Sequence, residues 1–149
     1  MEEHHNPYTR LAAMTIVSFF AMYILMYSMV DSLGSVFNNI NQVYMAGLMA
    51  SPMVLIELAL MGGMYPNKNL NRGLMAVSAI ALVGFFLLIR QQVGVTDTQF
   101  LRSMIPHHSG AILMCGKAPI QSAEIQTLCR KIIASQDAEI RQMREMLAK

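Results

Sequence analysis

The sequence predicts an all-α protein in three stretches: a polar tail over residues 1–10, three transmembrane helices over residues 11–92 and an amphipathic helical hairpin over residues 96–149. Three observations lead there. Apolar residues gather in three long runs before residue 90, basic residues flank those runs unevenly, and beyond Arg90 the uniform apolarity gives way to helical periodicity. A chain of 149 residues ordinarily makes one globular domain, so it is this uneven distribution that divides the chain.

The tail carries His4 and His5, a solvated end or a weak metal-binding one. Leu11 to Val30 contains no charged residue. At ~1.5 Å per residue it is long enough to cross a hydrocarbon core of ~30 Å. It is too long for a signal-peptide core and no small-residue cleavage site follows it, so it reads as a retained span. The loop Asp31 to Gln42, with Gly34, Asn38, Asn39 and Asn41, reads as turn-rich. Val43 to Met64 is the second run, interrupted by Glu57, an ionisable group expected in mid-span, where it is costly unless paired. Ser51-Pro52 predicts a local break there, and Gly47 and Gly62-Gly63 predict tight helix packing. Tyr65 to Arg72 is a polar link, and Gly73 to Ile89 forms the third span.

Short cytoplasmic loops hold an excess of lysine and arginine. Arg10 precedes the first span, Lys68 and Arg72 fill the second loop, and the first loop has no basic residue. The amino terminus is thus expected inside and the hairpin outside; Arg90 and Arg102 weigh mildly the other way. A net charge of +2 without a basic patch interleaved with aromatics excludes a nucleic-acid partner.

Thr96 and Gln99 form a capping box ahead of a helix from Asp97 to Gly116. After a break at Gly116 to Pro119, a second helix is expected from about Ile120 to Leu147, with Ile125, Leu128, Ile132, Ile133, Ile140, Met143 and Leu147 at helical spacing. Two such helices make an αα-hairpin whose apolar seam needs a cover. A second copy would complete a four-helix bundle, and a higher oligomer set by the spans is the competing solution.

Metal-binding side chains concentrate in this hairpin. At 100° per residue Met104, His108, Ala111 and Cys115 share a stripe, with His107 and Met114 on its shoulder. Pro106 should kink the helix beside the histidines, and Gly110 admits a close neighbour. The facing helix offers Cys129, Gln136, Glu139 and Met143. Folding about Ala118 sets Cys129 opposite His107 and His108 and leaves the two cysteines ~10 Å apart along the axis. That disfavours a disulfide between them unless the turn shifts or a symmetry mate intervenes. Imidazole, thioether and thiol together suit copper(I), with zinc the alternative because histidine and cysteine also serve it.

The run Phe100-Leu-Arg-Ser-Met-Ile-Pro-His-His-Ser-Gly-Ala-Ile-Leu-Met114, with Glu124 to Leu128, Ile132-Ile133 and Ser135 to Met143, resembles the bacterial family called domain of unknown function 305. The likeness covers about residues 96–148. It implies a ferritin-like helical fold, a hairpin on the periplasmic face of a bacterial inner membrane, copper binding as in some periplasmic members, and functional roles for Met104, His107, His108, Met114, Glu139 and Met143. Many relatives are soluble and lack both the paired cysteines and the spans, so a storage role does not transfer directly.

The expected function is therefore a membrane-anchored, homo-oligomeric protein that binds copper(I) through Met104, His107, His108, Met114, Cys115, Cys129, Glu139 and Met143, for tolerance, storage or delivery to a copper-accepting protein. Two alternatives stand beside it. Met22, Met26 and Met29 on the first span and Met45, Met49 and Met53 on the second form thioether ladders that could conduct copper across a lipid membrane, or the hairpin is a metal-free interaction module. Catalysis is not expected. The hairpin lacks the Glu-x-x-His pair of di-iron bundles, and the His-Glu-x-x-His motif of zinc hydrolases, a nucleophile elbow and a phosphate-binding loop are missing from the sequence.

Overall fold

The computed structural model describes residues 6–149, and the tail histidines His4 and His5 lie outside the described residues. The described chain is all-helical: α1 (Pro7–Leu25), α2 (Ile40–Leu60), α3 (Lys68–Gln91), α4 (Asp97–Lys117) and α5 (Ala123–Leu147), with short 3₁₀ turns at Met26–Met29, Leu33–Ser35 and Gly62–Met64. It forms two compact units. One holds α1, residues 41–60 of α2, and α3; the other holds residues 26–40 together with residues 94–149. The hairpin unit is thus wider than residues 96–149, because the segment between the first two apolar helices belongs to it.

Three stretches of the described chain are long and apolar enough to cross a membrane: Pro7–Met29, Ile40–Leu60 and Lys68–Gln91. Large apolar side chains on α1 and α3, among them Ile16, Val17, Phe20, Val77, Ile80 and Phe86, are exposed, as suits helices solvated by lipid. Leu11, Val54, Leu58 and Tyr65 make a small core with Tyr8, Met14, Leu74 and Met75 against it. A polar clasp closes this end. Tyr8 Oη donates to Asn71 Oδ1 at 2.8 Å and accepts from the Asn67 amide at 3.0 Å, while Asn71 Nδ2 donates to the Tyr65 carbonyl at 3.1 Å.

Several expectations for the spans are corrected. The helix runs unbroken through Ser51-Pro52; the Ser51 hydroxyl donates to the Gly47 carbonyl at 2.7 Å, inside the turn that the proline weakens. Glu57 lies in the last turn of α2, not in mid-span, and accepts a 3.0 Å hydrogen bond from Tyr65 Oη. Gly47 does mark a close approach, since a Cβ there would meet the Phe85 ring at 2.5 Å. Gly62 and Gly63 fall in the 3₁₀ turn after α2 with open space where a Cβ would stand, so no close helix packing requires glycine there. The first methionine ladder is interrupted as well: α1 ends at Leu25, and Met26 and Met29 sit in the following 3₁₀ turn. Met45 and Met49 are exposed on α2.

In the second unit, Thr96 caps α4 by accepting from the Gln99 amide. The reciprocal half of the capping box does not form, because Gln99 Oε1 accepts from the Ile40 amide at 2.8 Å and so satisfies a first-turn donor of α2 instead. Ser122 caps α5, which begins three residues later than expected. Ile105, fully buried, packs with Ile140 and Met143, and Phe37, Leu101, Met104, Ile112 and Leu147 surround them. Residues 26–37 dock on this hairpin. The Asp31 amide donates to Ser109 Oγ at 2.7 Å, Arg144 Nη2 donates to the Gly34 carbonyl at 3.1 Å and to Ser35 Oγ at 3.2 Å, and a Cβ on Gly110 would stand 3.3 Å from the Met29 carbonyl oxygen. Part of the hairpin seam is therefore covered by the chain itself.

Candidate metal centre

The site grows out of two one-turn spacings. Met104 and His108 are four residues apart on α4, and Glu139 and Met143 four apart on α5, so each pair shares a helix face. Antiparallel packing brings the faces together. His108 Nε2 lies 2.7 Å from Glu139 Oε2, and Met104 packs against the cluster that contains Met143. His108 and Met143 are buried, Met104 is half-buried, and the Glu139 side chain remains about half exposed. Within this quartet His108 and Glu139 are in direct contact, and Met104 and Met143 lie one turn away on the same helix faces.

Both ring nitrogens of His108 are engaged. Nδ1 lies 2.8 Å from the Met104 carbonyl oxygen, and Nε2 faces the Glu139 carboxylate. Both partners only accept, so both contacts are hydrogen bonds when the ring carries both protons. Glu139 is fixed from its other side by Ser135, whose hydroxyl donates to Oε1 at 2.9 Å. That hydrogen bond is the main reason the carboxyl titrates below its ordinary value of 4.5, with the hydrogen bond and charge of His108 adding to it and a small desolvation opposing. Ser135 was absent from the sequence-derived site, although its spacing of four from Glu139 on one helix face is the signal that places it there.

The other candidate ligands lie elsewhere. His107, one residue round the helix, is exposed, its ring centroid 6.1 Å from that of His108 at an interplanar angle of 64°. Met114 is exposed on the same helix. Pro106 is accommodated within an assigned helix that continues to Lys117.

Cys115 and Cys129 are joined in a disulfide with Cα atoms 5.1 Å apart, which corrects the expectation against a bridge. The reason is register. From Ala118 to Ser122 the backbone is non-helical, with both end residues extended, and α5 starts only at Ala123. The link carries the chain beyond the end of α4 before it turns, so the first turns of α5 overhang and are exposed from Ala123 to Leu128. Cys129 comes back level with Cys115, and the place opposite His108 falls to Glu139.

An all-helical chain with apolar helices of spanning length and a His/Met/Glu cluster in a helical hairpin defines the class. The family follows from comparison. The profile described as Domain of unknown function (DUF305) matches residues 56–147, and the chain belongs to this family. The match begins inside α2, well before the hairpin, so the family region also takes in α3. Among similar proteins is Uncharacterized protein L153 of Acanthamoeba polyphaga mimivirus, 30% identical over 137 residues, which cover 90% of this chain and 88% of that protein. A match of that extent necessarily includes apolar helices as well as the hairpin. No solved structure matches.

Proposed function

We propose that this protein is a membrane-anchored copper(I)-binding protein whose hairpin lies on the extracytoplasmic side, serving tolerance, storage or delivery of the ion. The observation that carries the reading is the quartet Met104, His108, Glu139 and Met143. One imidazole beside two thioethers is a donor set that copper(I) accepts. Zinc fits less well: among the described residues no three His, Cys, Asp or Glu side chains come together, whereas zinc sites ordinarily draw at least three such ligands. His108 would hold the ion through Nε2, with Met104 and Met143 supplying sulfur. To bind, the ring must release its Nε2 proton, and the Glu139 carboxylate at 2.7 Å is placed to take it. Exposed His107 and Met114 would serve as a first point of capture or as the exit toward a copper-accepting protein.

The absence of basic residues between the first two apolar helices, against Lys68 and Arg72 in the second link, supports an outside hairpin. A second copy packing on the remaining exposed apolar residues of the hairpin would give a four-helix bundle. Transport through methionine ladders is less well supported, because Met26 and Met29 leave the α1 helix and Met45 and Met49 face outward from their own chain.

The test is a copper(I) competition titration against a chromophoric chelator, on the full chain in detergent. Ascorbate keeps the copper monovalent and the disulfide is left closed. Wild type is expected to bind at a fixed stoichiometry that His107→Ala/His108→Ala loses. Equal, negligible binding by both folded proteins would reject the copper reading and leave an interaction module.

A further inference from the structure

Cys115 and Cys129 stand two helical turns from His108 along α4, about 10 Å by helical rise, and belong to no part of the quartet. Their Cα atoms are 5.1 Å apart on facing helices that are held together by the Ile105, Ile140 and Met143 core and not by the disulfide alone. Opening the bond would therefore leave two thiols still facing each other. Cys129 is buried and Cys115 half-buried, so the pair is shielded without being sealed.

We propose that the reduced Cys115/Cys129 pair is a second copper(I) site of two thiolates, which closure of the disulfide shuts. Copper(I) is content with two soft ligands. Zinc is not, and no third His, Cys, Asp or Glu completes a site anywhere among the described residues. The chemistry balances with a dithiol reductant. Two electrons and two protons pass from the reductant to the Sγ–Sγ bond, giving two cysteine thiols and the reductant's own disulfide. Each thiol then releases one proton as its sulfur binds copper(I), so a bis-thiolate complex of net charge −1 forms and two protons leave. The oxidised protein would thus hold copper at the quartet alone, and the reduced protein at both places.

The experiment is the same chelator titration on oxidised protein and on protein reduced with a phosphine that is then removed without air. The ultraviolet absorption of thiolate-bound copper(I) is read alongside. Reduction is expected to raise capacity by one copper per chain in wild type and in His107→Ala/His108→Ala, and to leave Cys115→Ser/Cys129→Ser unchanged. A reduced wild type whose capacity and absorption equal those of the oxidised form overturns the proposal, as does a gain that survives in the double serine variant. Oxidised wild type is itself the blocked form, so the comparison holds even if a serine variant folds poorly. Failure of the quartet reads differently: oxidised wild type would then match the histidine variant while reduction still added one copper.

Discussion

Glu139 reaches His108 across 31 positions of sequence to meet Nε2 at 2.7 Å, and it does so with Ser135 holding its other oxygen. Because these partners lower the folded carboxyl's pKa beneath 4.5, the ionised form favours the folded state. That contribution is complete above the unfolded value and is lost as pH falls below 4.5 through the folded value. Thermal melts of the metal-free protein should therefore decline more steeply below pH 4.5 for wild type than for Glu139→Gln. Parallel acid profiles would mean that the pair contributes nothing to folding.

Leucine matches methionine in volume, so Met104→Leu/Met143→Leu is expected to cost under about 1.5 kcal/mol per site in stability. Its effect on copper should be far larger. A fall of tenfold or more in copper(I) affinity, with helical circular dichroism unchanged, is the expected result of the chelator titration. Unchanged affinity would leave the thioethers a packing role only.

The disulfide joins residues 14 apart in sequence, and closing a loop near that size stabilises a fold by roughly 3 kcal/mol in the chain-entropy account. Cys129→Ser should lower stability by about that much. Denaturant melts of wild type with and without reductant should show the same loss, and reductant should have no further effect on the variant.

Gly110 faces the Met29 carbonyl oxygen at a distance where a methyl group already crowds. Gly110→Ala gains ~1 kcal/mol in helix propensity but sets it against ~1–3 kcal/mol of overpacking. Net destabilisation is expected, with faster hydrogen exchange at the Asp31 amide, whose partner Ser109 is the preceding residue. A more stable variant with a protected Asp31 amide would show that the segment shifts aside freely.

Helices were legible in the sequence because their signals are local: apolar runs, the Thr96 cap, and the four-residue spacings that carry Met104 with His108 and Glu139 with Met143. What escaped was register. Whether Cys129 or Glu139 faces His108 depends on how far the Ala118 to Ser122 link travels before α5 begins, and a helix started three residues early slides every pairing along the seam. Equally hidden was the docking of residues 26–37, which rests on backbone groups of Asp31 and Gly34 that carry no side-chain signature. Glu57 was misplaced for a related reason. An apolar run does not reveal where its helix stops, and the 3₁₀ turn at Gly62 ends this one early.

The hydrogen bond from Asp31 to Ser109 joins residues 78 positions apart. At ribosomal rates of about 5–20 residues per second, about 4–16 s pass between the synthesis of donor and acceptor. For that interval the stretch from Met26 to Phe37 has been made without the helix it will lie against. Its shape is thus settled by a segment translated long after it, and a ribosome that stalls before residue 97 leaves it unfinished.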